Sequence, residues 1–300
     1  MNILVAGSTG LIGSHIVEEL LAEGGHRVCC MSRRGDTGNR WGERVEMRAG
    51  DITDSSSVER ATQGINAVVH CVQFPNHPIE NPRRGWTYLE VDGRGTERMV
   101  AAARKNGVRR FVYLSGAGAS PEKTEPWFRA KAMAEKAIYS SGMEYVILRP
   151  SWIYGPEDRS LNKFLFFAKW LPFVPVIGNG KNKVQPISVF DVARVAAKAA
   201  IDPKATNRTF ELGGPQELTM DAIIRTALKV AGRRRFLLHQ PAALMKLLAS
   251  FVQYLPGRPL TPAAIDFILM EERVDSNDAE KVFEMKFVSL EEGLRRYLQS

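Results

Sequence analysis

Apolar residues in the first half of the chain alternate between two textures, short solid runs and longer stretches in which every third or fourth position is apolar. The solid runs cover residues 2–6, 26–32, 45–49, 65–72, 109–115 and 144–148, the pattern of strands buried on both faces. Between them, residues 14–23, 55–62, 87–106 and 127–140 carry helical spacing, and glycines at 24–25 and 107 punctuate the ends. Residues 74–84, rich in Pro and Asn, read as a loop. Strands alternating with helices predict an α/β fold, a doubly wound parallel sheet with helices on both faces.

Beyond Pro150 the regularity fades. Residues 151–156 read as a loop, 161–171 as a Phe-rich apolar helix and 172–183 as a run of turns. Helical spacing returns at 188–201, with Ser188 as N-cap, and again at 219–231, 242–254, 261–270 and 289–298. A short strand is predicted at 209–212. The expected division is a nucleotide-binding part over 1–155 and a smaller, mostly helical lobe over 156–300, with 188–201 packing back on the first part.

The break after the first strand reads Gly7-Ser-Thr9-Gly10-Leu11-Ile12-Gly13, a G-x-x-G-x-x-G spacing between strand and helix, the context a dinucleotide turn demands. Gly7 allows the tight turn, Gly10 lets the main chain approach a pyrophosphate, and Gly13 lets helix and strand pack closely. The helix N-terminus adds free N–H groups and a positive dipole end. At the end of the second strand, where NAD sites carry an acid, stand Ser32, Arg33 and Arg34, which suit a 2′-phosphate and favour NADP(H). Asp51 is a candidate acceptor for an adenine amino group, or a helix cap, with Ile52 covering the ring. Cys71, Val72 and Gln73 end the fourth strand, where the ligand crevice of such a sheet lies.

Lys and Arg number 41 against 33 Asp and Glu, but no dense basic block appears, so nucleic-acid binding is not expected. Cys29, Cys30 and Cys71 fall in apolar runs with no ligand spacing. No metal site is expected, and free thiols fit a reducing compartment. With no signal-like or membrane-spanning stretch, the expectation is a soluble cytoplasmic protein.

Gly7-Ser-Thr-Gly10-Leu-Ile-Gly13, Gly50-Asp51-Ile52, Val68-Val69-His70-Cys71, Asp92-Gly93-Arg94-Gly95-Thr96, Phe111-Val112-Tyr113-Leu114-Ser115 and Leu148-Arg149-Pro150 occur in the order of the extended and atypical short-chain dehydrogenase/reductases, and the chain resembles that superfamily over most of residues 1–200. The segments at 149–156, 259–262 and 289–294 resemble its atypical branch, typified by the NADPH-binding accessory subunit of respiratory complex I. The resemblance implies a loop Pro150, Ser151, Trp152, Ile153 against the cofactor. It also implies a catalytic Tyr with a Lys four residues later, and a Ser ending the fifth strand to hold a substrate carbonyl. Lys131 and Ser115 are present, but Trp127 stands where the Tyr belongs. An indole N–H cannot replace a phenol as general acid, and losing that acid costs a factor of about 10² to 10⁴ in rate.

Two readings follow. In one, NADP(H) is bound for a structural, sensory or assembly role with little turnover, and Lys131 holds a ribose hydroxyl. In the other, a reductase or epimerase acts on a small or nucleotide-linked substrate through a substitute acid, Tyr113 or Tyr154. The apolar stretches around Phe164–Phe173 and Leu244–Val252 read as core helices, or as a site for an apolar ligand, a membrane surface or a protein partner.

Overall fold

The computed structural model describes residues 1–35, 40–255 and 260–299. Seven parallel strands form the central sheet: β1 Asn2–Ala6, β2 Arg27–Ser32, β3 Val45–Ala49, β4 Ala67–His70, β5 Arg110–Leu114, β6 Glu144–Pro150 and, further along the chain, β11 Arg208–Leu212. Their order is β11-β6-β5-β4-β1-β2-β3, so the direction of winding reverses between β1 and β4. That reversal opens a crevice at the strands' carboxyl ends, directly above the glycine turn.

Side chains alternate across the sheet. Ile3 and Val5 face the helices α1 (Leu11–Glu23) and α6 (Val189–Ile201), while Leu4, Cys29, Val68 and Phe111 face α2 (Ser55–Ala61), α3 (Gly95–Lys105) and α4 (Pro126–Tyr139). Both faces are covered, which explains why the strands read as solid apolar runs. Helix α6 packs on α1 through Val192, Val195, Ala196 and Ala199, all fully buried. The predicted helix over 87–106 divides into a π-helical turn at Tyr88–Arg94 followed by α3. The cap of α2 is Asp54, whose carboxylate accepts from Ser56 N, so Asp51 is not the cap.

The remaining elements are β7 Ile153–Tyr154, α5 Leu161–Trp170, β8 Phe173–Ile177, β9 Lys183–Val184, β10 Ile187–Ser188, β12 Leu218–Thr219, α7 Met220–Val230, β13 Phe236–Gln240, α8 Ala242–Val252, α9 Pro262–Ile268, α10 Asn277–Val282 and α11 Leu290–Leu298. Most of them form a second layer, while Ala279 and Phe283, in and just after α10, pack into the core of the central sheet. Sequence periodicity missed the pair β8–β13, which is parallel and joins residues about sixty positions apart. Pro175 inside β8 is tolerated because β8 pairs on one side only. Small apolar clusters around Tyr154, Ile223 and Leu294, and around Val174, Ile224 and Leu228, hold this layer together.

Candidate functional site

The glycine turn has the tightness its spacing implies. Gly7 adopts φ +89°, and Gly10 N donates to Gly7 O at 3.0 Å. A Cβ on Gly13 would fall 2.2 Å from Gly7 O and 3.0 Å from Cys71 Sγ, so no other residue fits where α1 crosses the turn. Thr9 and Gly10 are exposed at its rim, while Leu11 and Ile12 begin the helix half-buried. Beside them lies a depression of about 240 Å³ lined by Thr9, Gly10, Leu11, Ser14, Arg40, Trp41 and Glu157. Arg40 lies over the Trp41 ring at 5.1 Å; neither residue carried a sequence signal, because both belong to an irregular connection.

At the end of β2, Arg33 and Arg34 are exposed. Ser32 is nearly buried, and its hydroxyl donates to Gly35 O at 3.0 Å, so that proton closes the turn instead of pointing outward. Asp51 Oδ1 accepts from Thr53 N and Thr53 Oγ1 at 2.9 and 2.7 Å, and Ile52 is buried against Gly95. Cys71 is half-buried against the glycine turn, and its thiol donates to Ala6 O. Burial pushes that thiol up to about 12, which keeps it protonated and unreactive. Val72 is half-buried and Gln73 exposed. The loop after β6 is pinned by Ala117 N to Pro150 O, Ser151 N to Leu212 O and the Ser151 hydroxyl on Gln185 O. The Trp152 ring packs into the second layer's core, away from the crevice, and Ile187 N holds its carbonyl.

Around the expected catalytic position the structure departs in three ways from what the resemblance implies. Ser115 Oγ donates to Glu135 Oε1 at 2.5 Å, and Arg149 grips the same carboxylate with Nε at 2.9 Å and a terminal nitrogen at 2.5 Å. The Ser115 hydroxyl is therefore bound inside a buried clamp under α4 and does not present itself to a substrate carbonyl. Tyr154 is fully buried beneath α11, with its hydroxyl on Ser289 O, which removes it as a substitute acid. The third departure is Trp127. Its indole presses on Gly116, where a Cβ would lie 2.3 Å from the ring, and its Nε1–H is buried with no partner among the described residues. Phe267, His77 and Tyr88 surround it, with ring centroids at 5.5, 6.1 and 6.1 Å.

Beneath the indole lies Lys131. Its side chain is 5 % exposed, with Nζ 3.1 Å from Asp92 Oδ1, 3.3 Å from Leu114 O and 5.2 Å from the Tyr113 ring. Asp92, on the π-helical turn, is fully buried. Burial raises the Asp92 carboxyl and the nearby ammonium pulls it back. For Lys131, burial opposes the charge, but Tyr113 and Asp92 outweigh it and the ammonium is held charged. Tyr113 stacks on His70, whose Nε2 meets Thr96 Oγ1 at 3.0 Å. Burial, reinforced by Lys131, pushes both His70 and His77 down to about 3, so both imidazoles are neutral.

Residues 3–213 match the profile of the NAD dependent epimerase/dehydratase family. Among curated relatives, the chain is 31 % identical over 224 residues to the mitochondrial NADH dehydrogenase (ubiquinone) 1 alpha subcomplex subunit 9 of Arabidopsis thaliana, covering 72 % of this chain and 54 % of that protein. The counterpart from Mus musculus is 28 % identical over 232 residues, covering 74 % and 59 %. The chain thus matches little more than half the length of these relatives. Among solved structures, a triphenylmethane reductase from Citrobacter sp. complexed with NADP(H) superposes with a TM-score of 0.78 at 22 % identity, covering 99 % of each chain. A UDP-glucuronic acid 4-epimerase from Bacillus cereus, in complex with UDP-glucuronic acid and NAD, gives 0.78 at 18 %, covering 100 % of this chain and 99 % of that one. These likenesses establish the fold.

Proposed function

The chain belongs to the NAD dependent epimerase/dehydratase family, within the extended short-chain dehydrogenase/reductases, and from that premise we propose that it holds NADP(H) without carrying out the family's carbonyl chemistry, in a structural, sensory or assembly role. The observation that carries this reading is the Trp127 indole, without a partner among the described residues and packed among aromatic rings at the position where the resemblance puts the family's phenol, over a Lys131 paired with Asp92.

The residues present fit a dinucleotide. The Gly7–Gly13 turn is compact, a Cβ on Gly7 or Gly13 striking the chain itself, and Thr9, Gly10 and Leu11 line the depression beside it. In this reading the pyrophosphate lies on that turn, Arg33 and Arg34 take the 2′-phosphate, and the free Asp51 oxygen and Ile52 take the adenine. Lys131 reaches a ribose hydroxyl, beside the Cys71–Gln73 and Pro150–Ile153 segments. Bound there, the cofactor would supply a hydride. In this reading Trp127, unlike a phenol, cannot deliver the accompanying proton. The curated relatives are named as subunits of a mitochondrial NADH dehydrogenase, which accords with an assembly or sensory use of the bound nucleotide.

The test is calorimetric titration with NADPH and NADH, paired with NADPH oxidation assays across ketones, quinones and sugar nucleotides. Tight NADPH binding without turnover is the expected result, and turnover above background refutes the reading. A second reading, a reductase or epimerase using Tyr113, draws on the closeness of that ring to Lys131. It requires NADPH oxidation that Tyr113→Phe abolishes.

A further inference from the structure

Two stretches of the sequence contain no acidic residue: residues 159–190 hold five basic residues and residues 222–265 hold seven. The rest of the chain carries 29 basic against 33 acidic residues, so the entire positive excess resides in these two stretches. The fold brings them together in the second layer. Strand β8 of the first pairs with β13 of the second, and Arg235 Nε donates to Ala168 O and Leu171 O at 3.0 and 2.9 Å.

The same two stretches also carry ten of the fourteen large hydrophobic side chains that stand exposed among the described residues. On α8, Leu244, Leu247, Leu248 and Phe251 follow one another at helical spacing and are 53, 59, 51 and 69 % exposed, while Ala249 on the opposite face is buried. Trp170 at the end of α5 is 67 % exposed, and Phe236 at the start of β13 is 59 % exposed. An apolar helix face turned wholly to water is unfavourable by itself and marks an interaction surface. The basic residues around it say what kind.

We propose that this face seats on an anionic lipid bilayer, with α8 lying in the headgroup plane, its Leu and Phe side chains in the acyl boundary and the basic residues against acidic headgroups. The charge pattern is the argument: forty-four consecutive residues without one acid are built around an apolar helix. Although Lys246 on α8 pairs with Asp266 on α9, Lys169 and Arg234 stand exposed in the same layer, a match for a negative surface. A folded protein partner is the weaker match, since its surface would mix both signs and the helix presents a convex ridge of flexible Leu side chains. No helix among the described residues is long and apolar enough to span a membrane, so the attachment is peripheral. This inference stands apart from nucleotide binding: it concerns the opposite layer and predicts no change in NADPH affinity.

The experiment is flotation of the full chain on a density gradient with vesicles of phosphatidylcholine alone, or of phosphatidylcholine mixed with phosphatidylglycerol. The chain floats with the anionic vesicles, less with the neutral ones, and added salt releases it, because screening weakens attraction between exposed charges. The pair Leu247→Asp and Phe251→Asp removes the wedge and lowers the bound fraction about tenfold or more. Both side chains are exposed, so the doubly substituted chain should keep its melting temperature. The pair Lys169→Glu and Arg234→Glu, also exposed, abolishes the preference for anionic vesicles. Failure to float with either vesicle overturns the proposal, as does equal flotation of the Leu247/Phe251 variant. A stable dimer in solution that the same substitutions dissociate overturns it too, since the face would then be covered by a second copy.

Discussion

Asp92 and Lys131 form an ion pair with almost no access to water, the two side chains being 0 and 5 % exposed. Removing one partner of such a pair strands the other charge in a poorly solvating interior, which costs about 3 to 5 kcal/mol. Asp92→Asn preserves volume and takes away only the charge, so it should sit at the low end, near 3 kcal/mol. Lys131→Met leaves the Asp92 carboxylate buried; the carboxyl then takes up a proton, and the cost is of similar size. Replacing both, Lys131→Met with Asp92→Asn, removes both charges and should cost clearly less than the two single changes added. Urea unfolding near neutral pH measures all four free energies, and the slope reports whether the transition stays two-state. The functional half of the prediction separates the two residues. Lys131→Met also loses the proposed ribose contact, one charge-assisted hydrogen bond, and should weaken NADPH about tenfold to a hundredfold. Asp92→Asn keeps the ammonium and should change affinity only a few-fold. Additive single effects would refute the buried pair, and equal affinity losses for both variants would refute the ribose role of Lys131.

Arg33→Asp places a carboxylate where the 2′-phosphate is proposed to lie and should weaken NADPH about tenfold to a hundredfold while sparing NADH; equal losses mean Arg33 does not read that group. Trp127→Tyr restores the phenol but should give no NADPH oxidation, because the Ser115 hydroxyl remains bound to Glu135; measurable turnover would contradict the clamp. The folded-state pKa of His70 is depressed to about 3 from 6.5 by burial, so the stability it contributes is complete above pH 6.5 and is lost as pH falls toward 3. The slope is about 1.4 kcal/mol per pH unit. His70→Leu should flatten the acid limb of stability against pH by one proton, and unchanged slopes would show that His70 titrates normally.

The nucleotide-binding half was largely legible in the sequence because its signals are local. A solid apolar run, a glycine triplet and an amphipathic stretch each state their geometry within about a dozen residues, and β1, the turn and α1 lie where that pattern puts them. What sequence could not convey were partnerships between distant residues. Ser115 reads as a substrate contact until Glu135, itself gripped by Arg149, is seen holding its hydroxyl. Tyr154 reads as a possible acid until α11 is seen to cover it through Ser289. Asp92 is one acid in a helical stretch, and only the fold places it against Lys131, thirty-nine residues later. Strands β8 and β13 share no hairpin turn, so neither announces the other. The apolar stretches of the second half lent themselves to either a core or a surface, and the structure divides them: Phe164 and Leu165 pack inward while Phe166 and Trp170 face out.

Strand β11 and helix α6 belong to the sheet and its covering, yet both follow the loops and short strands of the second layer in the chain. A fragment ended after Tyr154 would leave the backbone of β6 bare along one edge and Ile16, Val17 and Leu20 without their lid. Such a fragment should aggregate through that edge when expressed alone, and should recover solubility when the remaining residues are supplied as a separate polypeptide. Limited proteolysis between the layers would accordingly nick the chain without releasing two independent halves.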